Sequence, residues 1–495
     1  MKKSRLTRLV AAMLSLLMLI GCFGFTAVAA DDDEAAQSAV MSYDIEEVKA
    51  LLNALTYDEY TARNTRFEKA TKTVAIEAAN YDAENTDAEV EIVENYRGGT
   101  GKALYTPADG TVSWKFEIPE AGKYAVKLYY CPVGNEKSTS IERECRIDGE
   151  FLFKGLRYLT LTKRWMPHVY DPETAESESE NGLRVAEDGS YVFQTDINGN
   201  DIKPNIVETP EWSEYSLCDS TGYDLYPYEI AFTAGEHTLS LKSSRDEMVI
   251  SKIEFYPLAE QKPYAEIEAL YEKKGYTSAD TNGVIKLEAE LPYAVSDRTI
   301  YPQNDRSSAV TSPQDPAKTK MNSIGSTKWQ SVGQWIEYKF TCEETGLYYI
   351  APRFKQSELS GIYASRRLYI NGEVPFDEAN YCRFNYSDDW QAAPLGDGEN
   401  EFKFYFEKGK EYTLKFEVCL GSVSDILEEA NGAMSAMNAD YLKILQITGA
   451  SPDEYRDYNF NVLIPDVITD LYKQSKIISG ISQTLIELSG QKSSN

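Results

Sequence analysis

The stretch that decides the fold is Trp335–Phe354, which reads Trp-Ile-Glu-Tyr-Lys-Phe, then Thr-Cys-Glu-Glu-Thr-Gly, then Leu-Tyr-Tyr-Ile-Ala-Pro-Arg-Phe. Ile336, Tyr338 and Phe340 alternate with polar residues, and this period of two predicts a strand that is buried on one side. Gly346 permits a turn, after which a second strand returns. The sequence therefore predicts a hairpin of the kind that is typical of a two-sheet β-sandwich.

The same pattern occurs earlier in the chain, which predicts a tandem repeat. Gly122 corresponds to Gly346 at an offset of 224 (346 − 122). The stretch Ile147–Glu150 corresponds to Ile370–Glu373 at an offset of 223 (370 − 147). Two nearly equal offsets at separate motifs predict a mainly β chain of two tandem β-sandwiches, followed by an α-helical segment.

The pattern of periodicity divides the chain into six segments. They are a signal peptide (1–30), an acidic tether with a short helix (31–70), a first sandwich (71–258), a helical linker (259–280), a second sandwich (281–420) and a helical segment (421–495). An aromatic-rich insertion at about 157–228 interrupts the first sandwich. Its length without periodicity predicts either a functional loop or a partly disordered one.

The second sandwich is predicted to begin with a strand at Val284–Glu290, but it has no clear counterpart of the closing strand Met248–Tyr256 of the first. After Gly421, apolar residues at spacings of three and four predict two helices instead. Three explanations stay open at this point. The closing strand is absent, or it is supplied by a region that we interpret as helix, or it is carried by sequence outside this chain.

Charge and the N-terminal pattern indicate where the protein acts. The 495 residues carry a formal net charge of −29, which excludes nucleic acid as a partner. Basic residues, the apolar run Leu9–Ile20 and the small-residue site Ala27–Ala29 predict a secretory signal. Leu19–Cys22 instead fits a lipoprotein box that would leave Cys22 lipidated. Both alternatives predict a secreted or cell-surface protein.

Several short stretches carry a family resemblance. Three stretches resemble family 6 and family 35 carbohydrate-binding modules: Leu287–Glu290, Val332–Tyr338 and Glu344–Tyr348. Those modules are β-sandwiches, so the resemblance implies that the two tandem β-sandwich domains are jelly-roll, galactose-binding-like domains. Leu291–Arg298 and Tyr441–Gly449 look like the N-terminal region of extracellular solute-binding proteins of carbohydrate transporters in Gram-positive gut bacteria. That second resemblance implies that helices interrupt the second sandwich and that a solute-binding region follows, so the chain looks like a truncated or split member.

Sugar binding requires aromatic faces for the apolar side of a ring, together with amides or charged groups for the hydroxyls. The predicted residues are Trp329, Asn385, Tyr386 and Trp390 in loops of the second sandwich, Trp335 on its outer sheet face, and Trp165 in the insertion, where Tyr170 and Trp212 are further aromatic candidates. The alternative for each aromatic residue is that it caps a sandwich or packs against a neighbouring domain.

A structural calcium ion is implied by the resemblance to the carbohydrate-binding modules. In those modules a carboxylate pair near the first strand helps to hold Ca²⁺, and Glu288 and Glu290 match that pattern. The first sandwich has Glu77 but carries Ala79 in place of the second carboxylate. The alternative is a pair of solvated strand carboxylates with no metal.

Catalytic signals are weak in this sequence. It contains only two histidines and no G-x-S-x-G, H-E-x-x-H or P-loop motif. We therefore predict a non-catalytic protein that binds a glycan or oligosaccharide, in association with a surface sugar-uptake system and its transporter permease or another cell-surface partner. Two alternatives are a structural module that contacts other domains without a free ligand, and an accessory fragment of a glycoside hydrolase.

Overall fold

The computed structural model describes residues 54–170, 181–187, 189–279, 284–358 and 360–489. The predicted signal peptide, Cys22 and most of the acidic tether lie outside these residues. The helix predicted in the tether spans Tyr43–Tyr60, of which the structure describes residues 54–60. Residues 54–56 are coil, and α1 (Tyr57–Arg63) begins after the capping residue Thr56. None of the described helices is long and apolar enough to cross a membrane.

The first sandwich consists of two antiparallel sheets around one core. The strands up to its end are β1 (Val74–Glu77), β2 (Glu91–Glu94), β3 (Lys102–Thr106), β4 (Thr111–Ile118), β5 (Gly122–Pro132), β6 (Ile141–Ile147), β7 (Leu159–Leu161), β8 (Trp165–Pro167), β9 (Leu183–Val185), β10 (Tyr191–Phe193), β11 (Ile206–Glu208), β12 (Ser213–Ser216), β13 (Glu229–Phe232), β14 (Gly235–Arg245) and β15 (Met248–Tyr256). The larger sheet runs in the order β12-β5-β15-β3-β2, with β1 beside β15 and β13 beside β5. The smaller sheet runs in the order β4-β14-β6-β7.

The core of the first sandwich is closed. Val112, Trp114 and Phe116 are buried, as their alternation along β4 predicts. The Trp114 Nε1 donates a hydrogen bond to the Ala78 carbonyl at 2.9 Å. The Phe116 ring stacks on the Phe255 ring of β15, with their centroids 4.2 Å apart. The closing strand therefore contributes directly to the core.

The second sandwich repeats this plan with shorter strands. They are β16 (Ala294–Val295), β17 (Pro302–Gln303), β18 (Ser323–Ile324), β19 (Trp335–Thr341), β20 (Gly346–Tyr349), β21 (Arg353–Gln356), β22 (Tyr363–Ile370), β23 (Cys382–Asn385), β24 (Ser387–Ala392), β25 (Lys403–Phe406) and β26 (Glu411–Cys419). Its main sheet contains β16-β19-β26-β22-β23, while β20 pairs with β25 and β21 pairs with β24.

The predicted hairpin at Trp335–Phe354 is wrong in its pairing. Both strands are present, but β19 pairs with β16 and β26, whereas β20 pairs with β25. The turn at Gly346 therefore carries the chain from the main sheet to the opposing strands. The period of two identifies which side of a strand is buried, and it does not identify the neighbouring strand.

The insertion of the first sandwich is part of both sandwiches. At one end of it, β12 pairs with β5 of the first sandwich. Elsewhere in it, β8 pairs with β16 of the second sandwich and β11 pairs with β8. One seven-stranded sheet consequently runs in the order β11-β8-β16-β19-β26-β22-β23. The described part of the insertion is thus an ordered connection between the two sandwiches rather than a free loop.

The strand that we predicted at Val284–Glu290 is also wrong, because the structure has only coil and a turn there. In the first sandwich the corresponding strand is β1, whose partner is β15. Within the described residues no strand follows β26, so the corresponding segment of the second sandwich has no such partner. A strand without its ladder partner loses the hydrogen bonds that define it.

The helices occupy the linker and the C-terminal segment, as predicted. They are α2 (Tyr264–Lys273), α3 (Ser424–Thr448), α4 (Phe460–Leu463) and α5 (Pro465–Ser489). The long helices α3 and α5 pack against each other. Large apolar side chains stay exposed on both, including Leu442 on α3 and Tyr472 on α5. All six cysteines of the described residues are free thiols.

Candidate functional site

A pocket of about 310 Å³ opens on the outer face of the larger sheet of the first sandwich. Its floor is formed by Ala103 of β3, Tyr129 of β5 and Ser251 of β15. The neighbouring residues Leu104 and Leu128 point the other way, into the core. The walls are formed by two loop segments, which are Tyr96 with Gly99–Gly101 and Trp212–Glu214.

The Trp212 ring is held in a fixed position at the side of this pocket. Its Nε1 donates a hydrogen bond to the Tyr96 carbonyl at 2.9 Å. Gly99 lies directly against the ring, since a Cβ at this position would be 2.5 Å from the Trp212 Nε1. Because glycine has no Cβ, Gly99 permits the close approach of the indole. Because both contacts use backbone atoms of one loop, that loop determines where the indole lies.

Charges around the pocket are paired with each other. Lys127 contacts Glu214 at 2.6 Å, and Lys252 contacts Glu254 at 2.8 Å. The Glu254 carboxylate raises the pKa of Lys252 above its ordinary value, so this ammonium stays charged. The Lys252 Nζ lies 4.1 Å from the centroid of the Tyr129 ring. The pocket therefore combines aromatic rings, hydroxyl groups and balanced charge, which suits an uncharged ligand that has an apolar face and several hydroxyls.

Trp165 and Trp335, two of the predicted glycan contacts, lie between the sandwiches. Trp165 is 2% exposed and Trp335 is 7% exposed. The Trp335 Nε1 donates a hydrogen bond to the Thr162 Oγ1 at 3.2 Å. This corrects the prediction that Trp335 occupies an open outer face, because the insertion covers that face. Neither ring has a surface available for a sugar.

A charged network surrounds these two tryptophans and joins the insertion to the second sandwich. Arg164 forms ion pairs with Glu337 of β19 and with Glu211. On the same sheet face, Arg367 contacts Glu417 at 3.5 Å. Burial lowers the pKa of the Lys415 ammonium. This surface is a polar and aromatic domain contact.

The loop residues predicted in the second sandwich are only partly accessible. The Trp329 ring is half-buried, and the Arg366 guanidinium lies 4.2 Å from its centroid. Asn385 ends β23, Tyr386 lies between β23 and β24, and Trp390 lies within β24. Asn385 is exposed, whereas the Trp390 Nε1 donates to the Asp305 carboxylate at 2.8 Å. None of these residues lines the pocket at Trp212.

Glu288 and Glu290 do not form a metal site as the structure stands. Glu288 is paired with Lys286 at 2.5 Å. Glu290 is buried, and its burial raises the pKa of its carboxyl to about 7. Within the described residues no cluster of three carboxylate, histidine or cysteine side chains is placed to hold a metal. The arrangement does not fit a carboxylate-rich Ca²⁺ site, and calcium binding stays a prediction.

Sequence reasoning missed most of the pocket. Trp212 is one of the aromatic candidates in the insertion, but no pattern in the sequence identifies Tyr96, Tyr129 or Ser251. These residues come from segments that are far apart in sequence and meet only through strand pairing. The run Gly98–Gly101 was the one local signal, because a backbone rich in glycine often allows a close contact.

Three comparisons with known proteins bear on this chain. Residues 425–495 match the family model for the bacterial solute-binding protein, 4-helix bundle domain. No curated protein matches the chain. The helical segment is therefore the part with a recognised sequence family.

Similar solved structures each cover less than half of the chain. A family 35 carbohydrate-binding module from Clostridium thermocellum is 11% identical over 38% of this chain and 100% of that chain, with a TM-score of 0.21. The C-terminal family 6 module of a laminarinase from Zobellia galactanivorans is 15% identical over 37% and 99%, with a TM-score of 0.19. A Podospora anserina GH26-CBM35 mannanase is 10% identical over 39% and 29%, with a TM-score of 0.20. The chain thus spans under a third of the mannanase.

Proposed function

We propose that this protein binds a glycan, without catalysis, in the pocket formed by Tyr96, Tyr129 and Trp212. The observation that carries the proposal is the Trp212 indole, held against a glycine loop beside an open pocket. Its volume of about 310 Å³ is at the lower end of the range for small-molecule sites. We therefore infer that the ligand is a short glycan segment or a chain end.

The chemistry of the lining favours a neutral sugar. An indole face packs well against the C–H face of a pyranose ring. The hydroxyls of Tyr129 and Ser251 and the carboxylate of Glu214 are placed to bind sugar hydroxyls. Because Glu214 is already paired with Lys127, no unpaired cation in the lining attracts a uronate carboxylate.

The cellular role that we propose is binding at the outer surface of a bacterium for a sugar-transport system. It is supported by the match of residues 425–495 to a domain of bacterial solute-binding proteins. The strongly acidic composition also suits an exported protein. Cross-linking on intact cells of the source bacterium should recover a sugar-transporter permease, and recovery of unrelated proteins alone would remove this part of the proposal.

A glycan array followed by calorimetric titration tests the binding site. The mature chain should bind at least one neutral glycan, and Trp212→Ala should weaken that binding about tenfold or more, since it removes the stacking surface. Trp390→Ala is the matched control and should leave the affinity unchanged. A folded protein that binds no glycan, or one whose binding depends on Trp390 alone, would overturn the assignment.

A second candidate function is a structural module that has no free ligand. The specific observation in its favour is the burial of Trp165 and Trp335 between the sandwiches. These aromatics serve a domain contact, as the structural alternative requires. The two functions differ at Trp212, whose pocket is open and belongs to a single sandwich.

A further inference from the structure

The segment Thr209–Trp212 joins the two sandwiches and also carries one wall of the pocket. It consists of the four residues (213 − 209) between β11 and β12. On one side of it, β11 pairs with β8, in the same sheet as β16 and β19 of the second sandwich. On the other side, β12 pairs with β5 of the first sandwich. The wall at Trp212 therefore lies where the chain passes from one sandwich to the other.

The adjacent residues Glu211 and Trp212 contact different parts of the molecule. The Trp212 indole lines the pocket, where its Nε1 donates a hydrogen bond to the Tyr96 carbonyl. The Glu211 carboxylate instead lies 3.1 Å from the Nε of Arg164, at the contact between the sandwiches. Two neighbouring side chains thus connect the pocket to that contact.

Arg164 is shared by the two sandwiches. Its guanidinium pairs with Glu211 on one side and with Glu337 of β19 on the other, at 2.5 Å. It also lies 5.0 Å from the centroid of the Tyr293 ring. The Arg164 and Glu337 side chains are largely buried, whereas Glu211 is half-exposed. Because the guanidinium is a planar fork, one orientation serves both carboxylates, and the loss of either partner changes that orientation.

The segment that links Arg164 to the indole is restrained. The backbone N–H of Thr209 donates to the Arg164 carbonyl at 2.8 Å. The ring of Pro210 restricts the backbone there, and it packs against Gly134, where an added Cβ would be 2.8 Å from the Pro210 Cγ. A displacement of Arg164 is therefore passed along the segment to Trp212 rather than absorbed by it.

We propose that Arg164 is a positioning residue for Trp212, so that the contact with the second sandwich determines the shape of the glycan pocket in the first. Glu337 acts through Arg164 and Glu211, and all three residues lie outside the pocket lining. The consequence for binding rests on the proposed function, whereas the position of the indole does not. Coupling between two events is reciprocal, so a glycan bound at Trp212 strengthens the contact between the sandwiches by the same factor.

The test labels the mature chain with 5-fluorotryptophan and follows its six tryptophan resonances by fluorine NMR. Trp212→Phe identifies the Trp212 resonance by removing it. Glu337→Gln is the decisive variant, because it removes a charge in the second sandwich and keeps the shape of the side chain. It should shift the Trp212 resonance by more than the linewidth. Glu142→Gln, in the exposed pair with Arg245, is the matched control and should leave that resonance in place.

Two other tryptophans make the result decisive. Trp114 is buried in the core of the first sandwich, so its unchanged resonance shows that a variant is folded. The Trp335 ring lies 5.8 Å from Arg164, so a shift of its resonance shows that the contact is disturbed. Arg164→Lys is a second variant, because a lysine ammonium lacks the fork that serves both carboxylates. A Trp212 resonance that stays in place in either variant that folds would overturn the proposal.

Calorimetric titration measures the consequence for binding, with the neutral glycan that gives the strongest signal on the array. Glu337→Gln should weaken its affinity about fivefold or more, and Glu142→Gln should leave it unchanged. An unchanged affinity of Glu337→Gln would overturn the link to the pocket. If no neutral glycan binds the parent chain, the proposed function fails, and the Trp212 resonance still decides whether Arg164 positions the indole.

Discussion

In the first sandwich β15 lies between β5 and the two strands β1 and β3, and its apolar side chains complete the core. In the second sandwich the counterpart of β5 is Gly346–Gln356, and no strand of the described residues pairs with it in the place of β15. The difference shows that the same short sequence can form a strand or not, depending on whether a neighbouring strand is present. In the first sandwich, Ile76 and Glu77 of the tripeptide Ile76–Ala78 belong to β1. In the second sandwich, the similar tripeptide Leu287–Ala289 is coil and turn.

The outer faces of the two sandwiches differ as well. The outer face of the larger sheet in the first sandwich has the open pocket at Trp212. On the second sandwich, the insertion covers the outer face of the main sheet and buries Trp335. The two outer faces therefore differ in what covers them, since one has an open pocket and the other is a contact with the insertion.

The largest expected effect comes from truncating one core phenylalanine in each sandwich. Phe255→Ala should destabilise the protein by about 3–5 kcal/mol, because it leaves a cavity in a closed core. Phe340→Ala in the open core should cost only about 1–2 kcal/mol, since its ring is half-buried and its loss is mainly a transfer effect. Urea denaturation followed by circular dichroism measures both. Equal losses would contradict the difference between a closed and an open sandwich.

An intermediate effect is expected at the contact between the sandwiches. Arg164→Ala should cost about 2–3 kcal/mol, because it leaves the largely buried Glu337 carboxylate unpaired. The matched control is Arg245→Ala, whose pair with Glu142 is exposed and should contribute about 0–1 kcal/mol. Calorimetry should show one unfolding transition for the parent chain and two for Arg164→Ala. Two transitions in the parent chain would show that the contact does not couple the sandwiches.

The smallest effect is a dependence of stability on pH at the junction of the insertion with the helices. Burial, together with the nearby carboxylates of Asp219, Asp58 and Glu428, raises the pKa of Asp224 to about 7. The folded chain therefore holds a proton that the unfolded chain releases, so stability should fall as pH rises from about 4 to about 7. Asp224→Asn should flatten that slope in the thermal midpoint. An unchanged slope would exclude Asp224 as its source.

The repeat, the strands and the core positions could be predicted from the sequence because burial leaves a periodic pattern. Val112, Trp114 and Phe116 were identified in this way, and so was the pair of long C-terminal helices. The absence of a clear counterpart of β15 was also visible, because two motifs fixed the offset. These features depend on which residues follow one another within short segments, and a single sequence shows this directly.

The pairing and the pocket could not be predicted, for a different physical reason. Trp335 alternates with core residues, so the sequence predicts that its side chain lies on the outer face of the sheet. No pattern in the neighbouring sequence shows that β8 and Thr162 cover that face. Tyr96, Tyr129 and Trp212 meet only because β5 pairs with β12 and the loop after β2 folds over the sheet. Contacts between distant segments follow from strand order, which periodicity does not specify.

The most direct test of the account compares amide hydrogen exchange at the two matched segments of the unmodified chain. Tyr349–Lys355 should exchange about tenfold faster or more than Ala125–Cys131, because only Ala125–Cys131 has strand partners on both edges. Equally slow exchange in both segments of a monomeric protein would contradict the central claim that the second sandwich is open.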